Sequence, residues 1–259
     1  MGHDMNIMEL FTPQKKTWLY KVNPAVKFAL LFILFIIVFF NQNYAFVFYQ
    51  LIATAAIVFI FSGYSLRRLL LFSLPILLTL VTSTFTMILF GRGETVWWQW
   101  GIIKISEESF YQGLLLGFKS ACFGFISLIF LLTSRPMMMF YAFMQQFKLP
   151  AKYAYSFIAA FRMVPMIIDE FQIRTNALKV RGVQFSKGFK GIYERMRLYT
   201  IPLFAQSIRR AQRLGVAMEA KRFHMSVKRT YYYPTSYSWW DILFSLFLIS
   251  IVIVTYVLA

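Results

Sequence analysis

The sequence predicts an all-α, polytopic membrane protein with about five transmembrane helices and long, amphipathic, cytoplasmic coupling helices. Three observations predict this fold class. Hydrophobic residues make up 59% of the 259-residue chain, and charged residues only 14%. Several apolar runs approach the roughly 20 residues that a helix needs to cross a bilayer. Two-thirds of the lysines and arginines lie in a single segment, 133–238.

Five apolar runs predict five membrane spans. The first run follows Lys15, Lys16 and Lys21 and lacks a small-residue cleavage site, so it predicts a retained membrane anchor and not a signal peptide. Only three residues, 41–43, separate the first two spans, which therefore form a tight antiparallel hairpin. The predicted spans are 24–40, 44–61, 69–90, 109–132 and 239–258.

The placement of the cations predicts the orientation. The short flank 15–27 carries four lysines, and Arg67 and Arg68 follow the second span, whereas loop 91–108 has a net charge of −1. Lysine and arginine are enriched on the cytoplasmic side of membrane proteins. We therefore expect a cytoplasmic N-terminus, an external loop 91–108 and a cytoplasmic segment 133–238.

The basic segment 133–238 contains 18 Lys or Arg and 4 Asp or Glu, a net of +14. Apolar residues recur in it at helical spacing, which predicts amphipathic helices over about 151–181 and 204–223, with a shorter helix over 137–147. Pro165 is expected to kink the first of these helices. Gly182, Gly188 and Gly191 mark the predicted break between the two long helices.

These patterns divide the chain into three regions. Residues 1–132 form an N-terminal transmembrane region of four spans, 133–238 a cytoplasmic coupling-helix region, and 239–259 a C-terminal transmembrane helix.

No motif in the sequence indicates a catalytic site. It has no phosphate-binding loop of the G-x-x-x-x-G-K-[ST] type, and no span carries paired carboxylates. Cys122 is the only cysteine, and His3 and His224 are the only histidines. We therefore predict a protein that is not an enzyme and that binds no metal or cofactor. Asp241 lies at a predicted membrane edge, where an acidic residue costs little.

Two amphipathic helices are predicted to end in cations. Arg181 precedes Gly182, a residue type that often ends helices, and Lys221 and Arg222 follow Ala220. The helix dipole alone favours a cation at either end, and Glu219 could pair with Arg222 one turn away. The repetition of the pattern favours a docking role instead.

The run "FRMVPMIIDEF…ALKVRGVQF…AQRLGVAMEAKRFH" resembles the transmembrane (T) component of energy-coupling factor (ECF) transporters, bacterial and archaeal importers of vitamins and transition-metal ions. The resemblance is strongest over 133–224. The family has an arginine-plus-proline phrase, matched by Arg162 and Pro165, and Arg162 is expected to be a structural cation that holds helices together at the membrane edge. Its two Ala-Arg-Gly-like phrases at the ends of coupling helices match Val180-Arg181-Gly182 and Ala220-Lys221-Arg222.

The resemblance implies a non-catalytic subunit of the plasma membrane that couples two ATP-binding cassette ATPases to a substrate-binding membrane protein, the S component. ATP and Mg²⁺ would be held by the ATPases, and each coupling-helix cation would enter an ATPase groove. The second phrase departs from the family pattern, because Lys221 stands where arginine is usual and Arg222 follows it. Lys221 is the favoured docking residue by alignment, although Arg222 is the better ligand for a carboxylate.

Small residues line one side of the fourth predicted span, at Gly113, Gly117, Ala121 and Gly124. Close packing against another helix of the chain is the simpler interpretation, and contact with the S component is the alternative. Lys119, near the middle of that span, faces either a polar interior or a shallow position in the membrane.

Two other functions remain open at this point. A stand-alone secondary transporter would need a site at mid-membrane, for which Lys119 is the only candidate. A membrane-anchored protein that binds polyanions or anionic lipids would use the cations of 133–238 interchangeably.

Overall fold

The computed structural model describes residues 17–91, 95–100, 103–223 and 230–259. These residues form eight α-helices, a short 3-10 helix (Trp18–Lys21) and one antiparallel pair of strands. The helices are α1 (Pro24–Phe40), α2 (Tyr44–Phe61), α3 (Leu66–Phe90), α4 (Glu107–Thr133), α5 (Pro136–Gln146), α6 (Ala151–Val180), α7 (Phe189–Ala220) and α8 (Trp239–Leu258). The strands are β1 (Val96–Trp100) and β2 (Ile103–Ser106). Outside the described residues lie His3, Lys15, Lys16, Arg92, Glu94 and His224.

The predicted all-α membrane fold is confirmed. Within the described residues, α2, α3, α4 and α8 are long and apolar enough to cross a bilayer, and α1 is a shorter apolar helix of 17 residues. At 1.5 Å per residue α1 is about 25 Å long, a little less than a bilayer core. Lys119 of α4 donates a hydrogen bond of 2.9 Å to the carbonyl oxygen of Phe39 in the last turn of α1. This partner explains how Lys119 is accommodated beside apolar helices.

Polar side chains fix where several membrane helices begin. The side-chain oxygens of Asn23 and Asn43 accept hydrogen bonds of 3.0 Å from the backbone N–H two residues on, at the starts of α1 and α2. Ser106 and Ser238 form capping boxes at the starts of α4 and α8. Such caps satisfy backbone donors that lack a partner inside the helix.

Two elements depart from the sequence-based prediction. The second long amphipathic helix begins at Phe189 and continues through Gly191 and Pro202, well before the predicted start at 204. Gly188 caps it with a φ of +81°, so this glycine does mark the break. The loop 91–108 contains a hairpin in which β1 pairs with β2, with Trp98 opposite Ile105. The hairpin was not predicted.

The glycines of α4 lie directly against α3. A Cβ atom on Gly113 would come within 2.8 Å of Ile88, and one on Gly117 within 1.9 Å of the Thr84 hydroxyl. A Cβ atom on Gly124 would come within 2.8 Å of Ile76. Ala121 is fully buried in the same helix. The small-residue side of α4 is therefore a helix-packing surface within this chain.

A buried polar cluster lies where α1 and α8 begin and α4 ends. Lys27 is fully buried and donates hydrogen bonds to the carbonyl oxygens of Leu19 (2.7 Å) and Thr133 (3.1 Å) and to the Thr133 hydroxyl (3.1 Å). Asp241, only 4% exposed, accepts a bond of 2.7 Å from the backbone N–H of Asn23. The expectation that Asp241 lies at little cost on a membrane edge is therefore incomplete, because its carboxylate fixes α8 to the start of α1.

The chain forms two compact units. One comprises Met1–Ala142 and Thr235–Ala259, and its core is built mainly from α1, α2, α4 and α8. The other comprises Phe143–Pro234 and contains α6 packed against α7.

Candidate functional site

The end of α6 presents Arg181 at a sharply terminated helix. The N–H of Gly182 donates to the carbonyl of Lys179 (3.0 Å), and the N–H of Val183 donates to the carbonyl of Leu178 (3.2 Å). Gly182 has a φ of +67°. These two bonds with a left-handed residue define a Schellman motif, in which Arg181 is the last residue near the helical conformation. The helix thus ends with an arginine at its tip.

The end of α7 repeats this geometry. The N–H of Arg222 donates to the carbonyl of Glu219 (2.8 Å), and the N–H of Phe223 donates to the carbonyl of Met218 (2.9 Å). Arg222 takes the left-handed conformation, with a φ of +53°. Lys221 therefore occupies the same cap position as Arg181, and Arg222 the same position as Gly182.

The two tips are open to their surroundings. Arg181, Gly182, Ala220, Lys221 and Arg222 are all exposed, and Glu219 is exposed beside them. Val180 leaves 89% of its surface exposed. No ion pair joins Glu219 to Arg222, both of which belong to the described part of the chain. An exposed valine next to an exposed cation combines apolar and charged surface at one tip.

A polar contact joins α6 to α7. Glu170 forms an ion pair with Arg210, and the Gln206 amide donates a bond of 2.7 Å to the same Glu170 oxygen, Oε1. The side chains of Glu170 and Arg210 are 14% and 25% exposed. A groove of about 650 Å³ runs along this contact and reaches Arg181 at one end.

The ion pair lies at equal distances along the two helices from their tips. Glu170 precedes Arg181 by 11 residues (181 − 170), and Arg210 precedes Lys221 by 11 residues (221 − 210). At 1.5 Å per residue, the distance along the helix from the ion pair to the tip is about 16 Å in both α6 and α7. The sequence does not reveal this contact, since helix periodicity says nothing about which residues of two helices meet.

The arginine-plus-proline phrase lies within α6. The helix continues through Pro165, and the kink predicted there stays a prediction. Arg162 is exposed, and within the described ranges it forms no ion pair. The expected role of Arg162 in holding helices together therefore has no carboxylate partner in that part of the chain.

Nothing resembling a metal centre accompanies these tips. Across the described ranges, no three His, Cys, Asp or Glu side chains come together in a way that could hold a metal ion.

Comparison with known proteins identifies the family. The family model described as cobalt transport protein (CbiQ) matches residues 15–232, most of the chain. An energy-coupling factor transporter transmembrane protein (EcfT) of Lactococcus lactis subsp. cremoris is 32% identical over 190 residues, covering 70% of both chains. The chain belongs to this family of transmembrane T components.

Other T components match over nearly the full length. The EcfT protein of Macrococcus caseolyticus is 26% identical over 260 residues, covering 96% of both chains. That of Lacticaseibacillus paracasei is 27% identical over 226 residues, covering 83% of this chain and 84% of the relative. The resemblance seen in the sequence is confirmed, and the chain is a multi-pass membrane protein of the transport class.

Proposed function

We propose that this T component is the non-catalytic coupling subunit of an ATP-driven importer of a vitamin or metal ion. It joins two ATP-binding cassette ATPases to an S component, which binds the cargo in the membrane. The ATPases bind ATP and Mg²⁺, and this chain holds no cofactor of its own. The tips of α6 and α7, defined by Val180-Arg181-Gly182 and Ala220-Lys221-Arg222, are the ATPase-docking sites.

One observation carries the proposal: two exposed cations occupy the same cap position at the ends of two linked helices. Arg181 and Lys221 both precede a left-handed residue, and both lie about 16 Å beyond the Glu170–Arg210 contact. A solvated cation at a helix end is common, because the helix dipole favours it. A matched pair at equal distances from one contact supports two equivalent docking points on two ATPases.

The chemistry of the tips suits acidic grooves. The planar guanidinium of Arg181 can hold a carboxylate through two parallel hydrogen bonds, and the ammonium of Lys221 acts as a compact charge. Loss of one member of such a pair in a desolvated interface costs about 2–5 kcal/mol, partly because the other charge stays buried. Lys221 is the favoured second docking residue, since it shares the cap position of Arg181.

The distribution of charge supports the location. Lysine and arginine concentrate in the N-terminal flank and in segment 133–238. This bias supports a cytoplasmic location for both, in a bacterial or archaeal cell, on the side of the membrane where ATP is available. ATP-driven closure of the two ATPases would then move α6 and α7 together and change the orientation of the S component.

Charge reversal at both tips tests the proposal. We expect Arg181→Glu with Lys221→Glu to abolish co-purification of the ATPases and ATP-driven uptake, while the protein still inserts into the membrane. The matched control is Lys187→Glu with Lys190→Glu, which reverses two exposed cations at the start of α7 and just before it. The control should retain the ATPases.

If both double variants lost ATPase co-purification and uptake to the same extent, the proposal would be contradicted, because the cations would then act interchangeably. That result, with binding that weakens smoothly as salt rises, would favour a polyanion or lipid binder. Uptake by the chain reconstituted without ATPases would favour a secondary transporter.

A further inference from the structure

An apolar groove opens between α1, α3 and α4 of the membrane region. Its volume is about 470 Å³. Phe28 and Phe35 line it from α1, Phe72 and Pro75 from α3, and Leu131 from α4. Phe28, Phe72 and Leu131 lie near the ends of their helices that border the basic flanks, so the groove extends to that edge of the membrane region.

Polar and positively charged residues lie beside the end of this groove at the basic edge. Tyr64 contacts Phe72 edge to face, with ring centroids 6.4 Å apart. Arg68 precedes Phe72 by four residues, so it lies on the same side of α3. Tyr20 donates a hydrogen bond to the carbonyl oxygen of Leu132, next to Leu131.

The two tyrosines are hydrogen-bonded to each other, and each lies near one arginine. Burial raises the pKa of Tyr20, the hydrogen bond with Tyr64 raises it further, and the charge of Arg135 lowers it in part. Burial also raises the pKa of Tyr64, while Tyr20 and the charge of Arg68 lower it. Arg135 and Arg68 thus lie near two neighbouring hydroxyls, close to the groove residues Phe72 and Leu131.

We propose that this groove holds an acyl chain of one anionic phospholipid, whose phosphate lies at Arg68 and Arg135. The groove is lined almost entirely by aromatic and aliphatic side chains, which suit the hydrocarbon chain of a lipid. The two arginines beside its end at the basic edge suit an anionic headgroup. The aromatic walls supply apolar contact, and the two arginines supply charge and hydrogen bonds for the headgroup.

The site differs from general lipid contact in one measurable respect. A lipid at an ordinary apolar surface is held without regard to its headgroup, whereas a phosphate between arginines gains charge-assisted hydrogen bonds. Anionic lipids are attracted to basic membrane-proximal segments in any case. The distinguishing property is one tightly held lipid whose retention depends on Arg68 and Arg135 and not on a nearby arginine.

Native mass spectrometry of the full chain tests this inference. The protein is incubated in mild detergent with equal amounts of phosphatidylglycerol and phosphatidylcholine that carry the same acyl chains. We expect one phosphatidylglycerol per chain to be retained in preference to phosphatidylcholine. Arg68→Ala with Arg135→Ala should lower this preference about tenfold.

Two further variants provide the controls. Arg67→Ala removes an exposed arginine next to Arg68 that points about 100° away around the helix, and it should leave the preference unchanged. Leu131→Trp fills the groove without changing charge, and it should reduce retention of both lipids. If the double variant does not fold, Arg135→Ala alone, at an exposed position outside the helices, gives the comparison.

The inference is overturned if the arginine variants keep the wild-type preference or if Arg67→Ala lowers it equally. It is also overturned if Leu131→Trp retains lipid as the wild type does. None of these results bears on the proposed docking of ATPases, which involves the tips of α6 and α7.

Discussion

Arg222 occupies a backbone conformation that glycine adopts much more readily. Its φ of +53° corresponds to the +67° of Gly182 at the equivalent position of α6. A side chain in the left-handed region costs roughly 1–2 kcal/mol, because its Cβ atom approaches the following carbonyl oxygen. The second family phrase thus departs from the first at the one position where the backbone favours glycine.

Replacing Arg222 by glycine is predicted to stabilise the end of α7. The free energy of unfolding should rise by about 1 kcal/mol, because the left-handed strain is relieved. Thermal unfolding of the purified protein measures the change, and ATPase co-purification should persist because Lys221 is intact. Gly182→Arg is the mirror control and should destabilise by a similar amount. A lower stability of Arg222→Gly would show that the arginine side chain makes a contact that outweighs the strain.

Single residues near membrane edges were the hardest to interpret from sequence. Lys27 was assigned to a basic flank, because a lysine at the start of an apolar run usually reaches water. Instead it is fully buried, and three oxygen acceptors surround its ammonium group. Two of those acceptors belong to Thr133, which is 106 residues away in the sequence. No local pattern encodes such a distance.

The long helices α6 and α7 form the element that transmits motion in the proposed mechanism. Their direct polar contact at Glu170 and Arg210 lies about 16 Å before each tip. Glu170 has a second carboxylate oxygen that is buried and has no hydrogen-bond partner among the residues that the structure describes. A partly buried ion pair of this kind fixes where two helices cross, since shifting either helix would leave a charge unpaired.

Exchanging the two charges tests this positioning role. Glu170→Arg and Arg210→Glu should each lower ATP-driven uptake while the ATPases still co-purify, because the tips themselves are unchanged. The double variant restores the ion pair and should recover much of the uptake, with a coupling energy of about 1–3 kcal/mol in a double-mutant cycle. Uptake that falls additively in the double variant would contradict a direct role of the pair. Arg209→Glu, at an exposed neighbouring position, is the charge-matched control.

Elements with strong periodicity were predicted well, and those without it were not. The predicted limits of α1, α2 and α8 agree with the structure, because long apolar runs have few alternatives in a membrane. The start of α7 was missed because its first turns combine glycine, charged residues and Pro202, which weaken the helical pattern. The β1–β2 hairpin was missed because aromatic residues there also fit a membrane interface.

At the scale of the whole molecule, charge and hydrophobicity are separated along the chain. Four described helices are suited to crossing a bilayer, while α6 and α7 carry most of their apolar residues exposed. Exposed apolar surface on an amphipathic helix is expected where other proteins or lipids cover it. The molecule is thus consistent with one component of a larger membrane assembly.

Accessibility of introduced cysteines tests the proposed orientation. Cys122 is fully buried, so the native protein should react little with a membrane-impermeant maleimide. Thr95→Cys, in loop 91–108, should be labelled in intact cells. Phe189→Cys, at a residue 91% exposed, should be labelled only after the membrane is permeabilised. Labelling in the reverse pattern would contradict a cytoplasmic segment 133–238.

The sequence by itself determined the fold class, the membrane helices, the family and the two cationic phrases, since these follow from local composition and spacing. Only the tertiary structure decided which side chains meet across helices. It packed the glycines of α4 against α3, surrounded Lys27 with oxygen acceptors and joined Glu170 to Arg210. It also placed Lys221 at the cap position of Arg181. Such outcomes depend on hydrogen bonds and packing between residues distant in sequence, or on the backbone angles of one residue, and a helical period constrains neither.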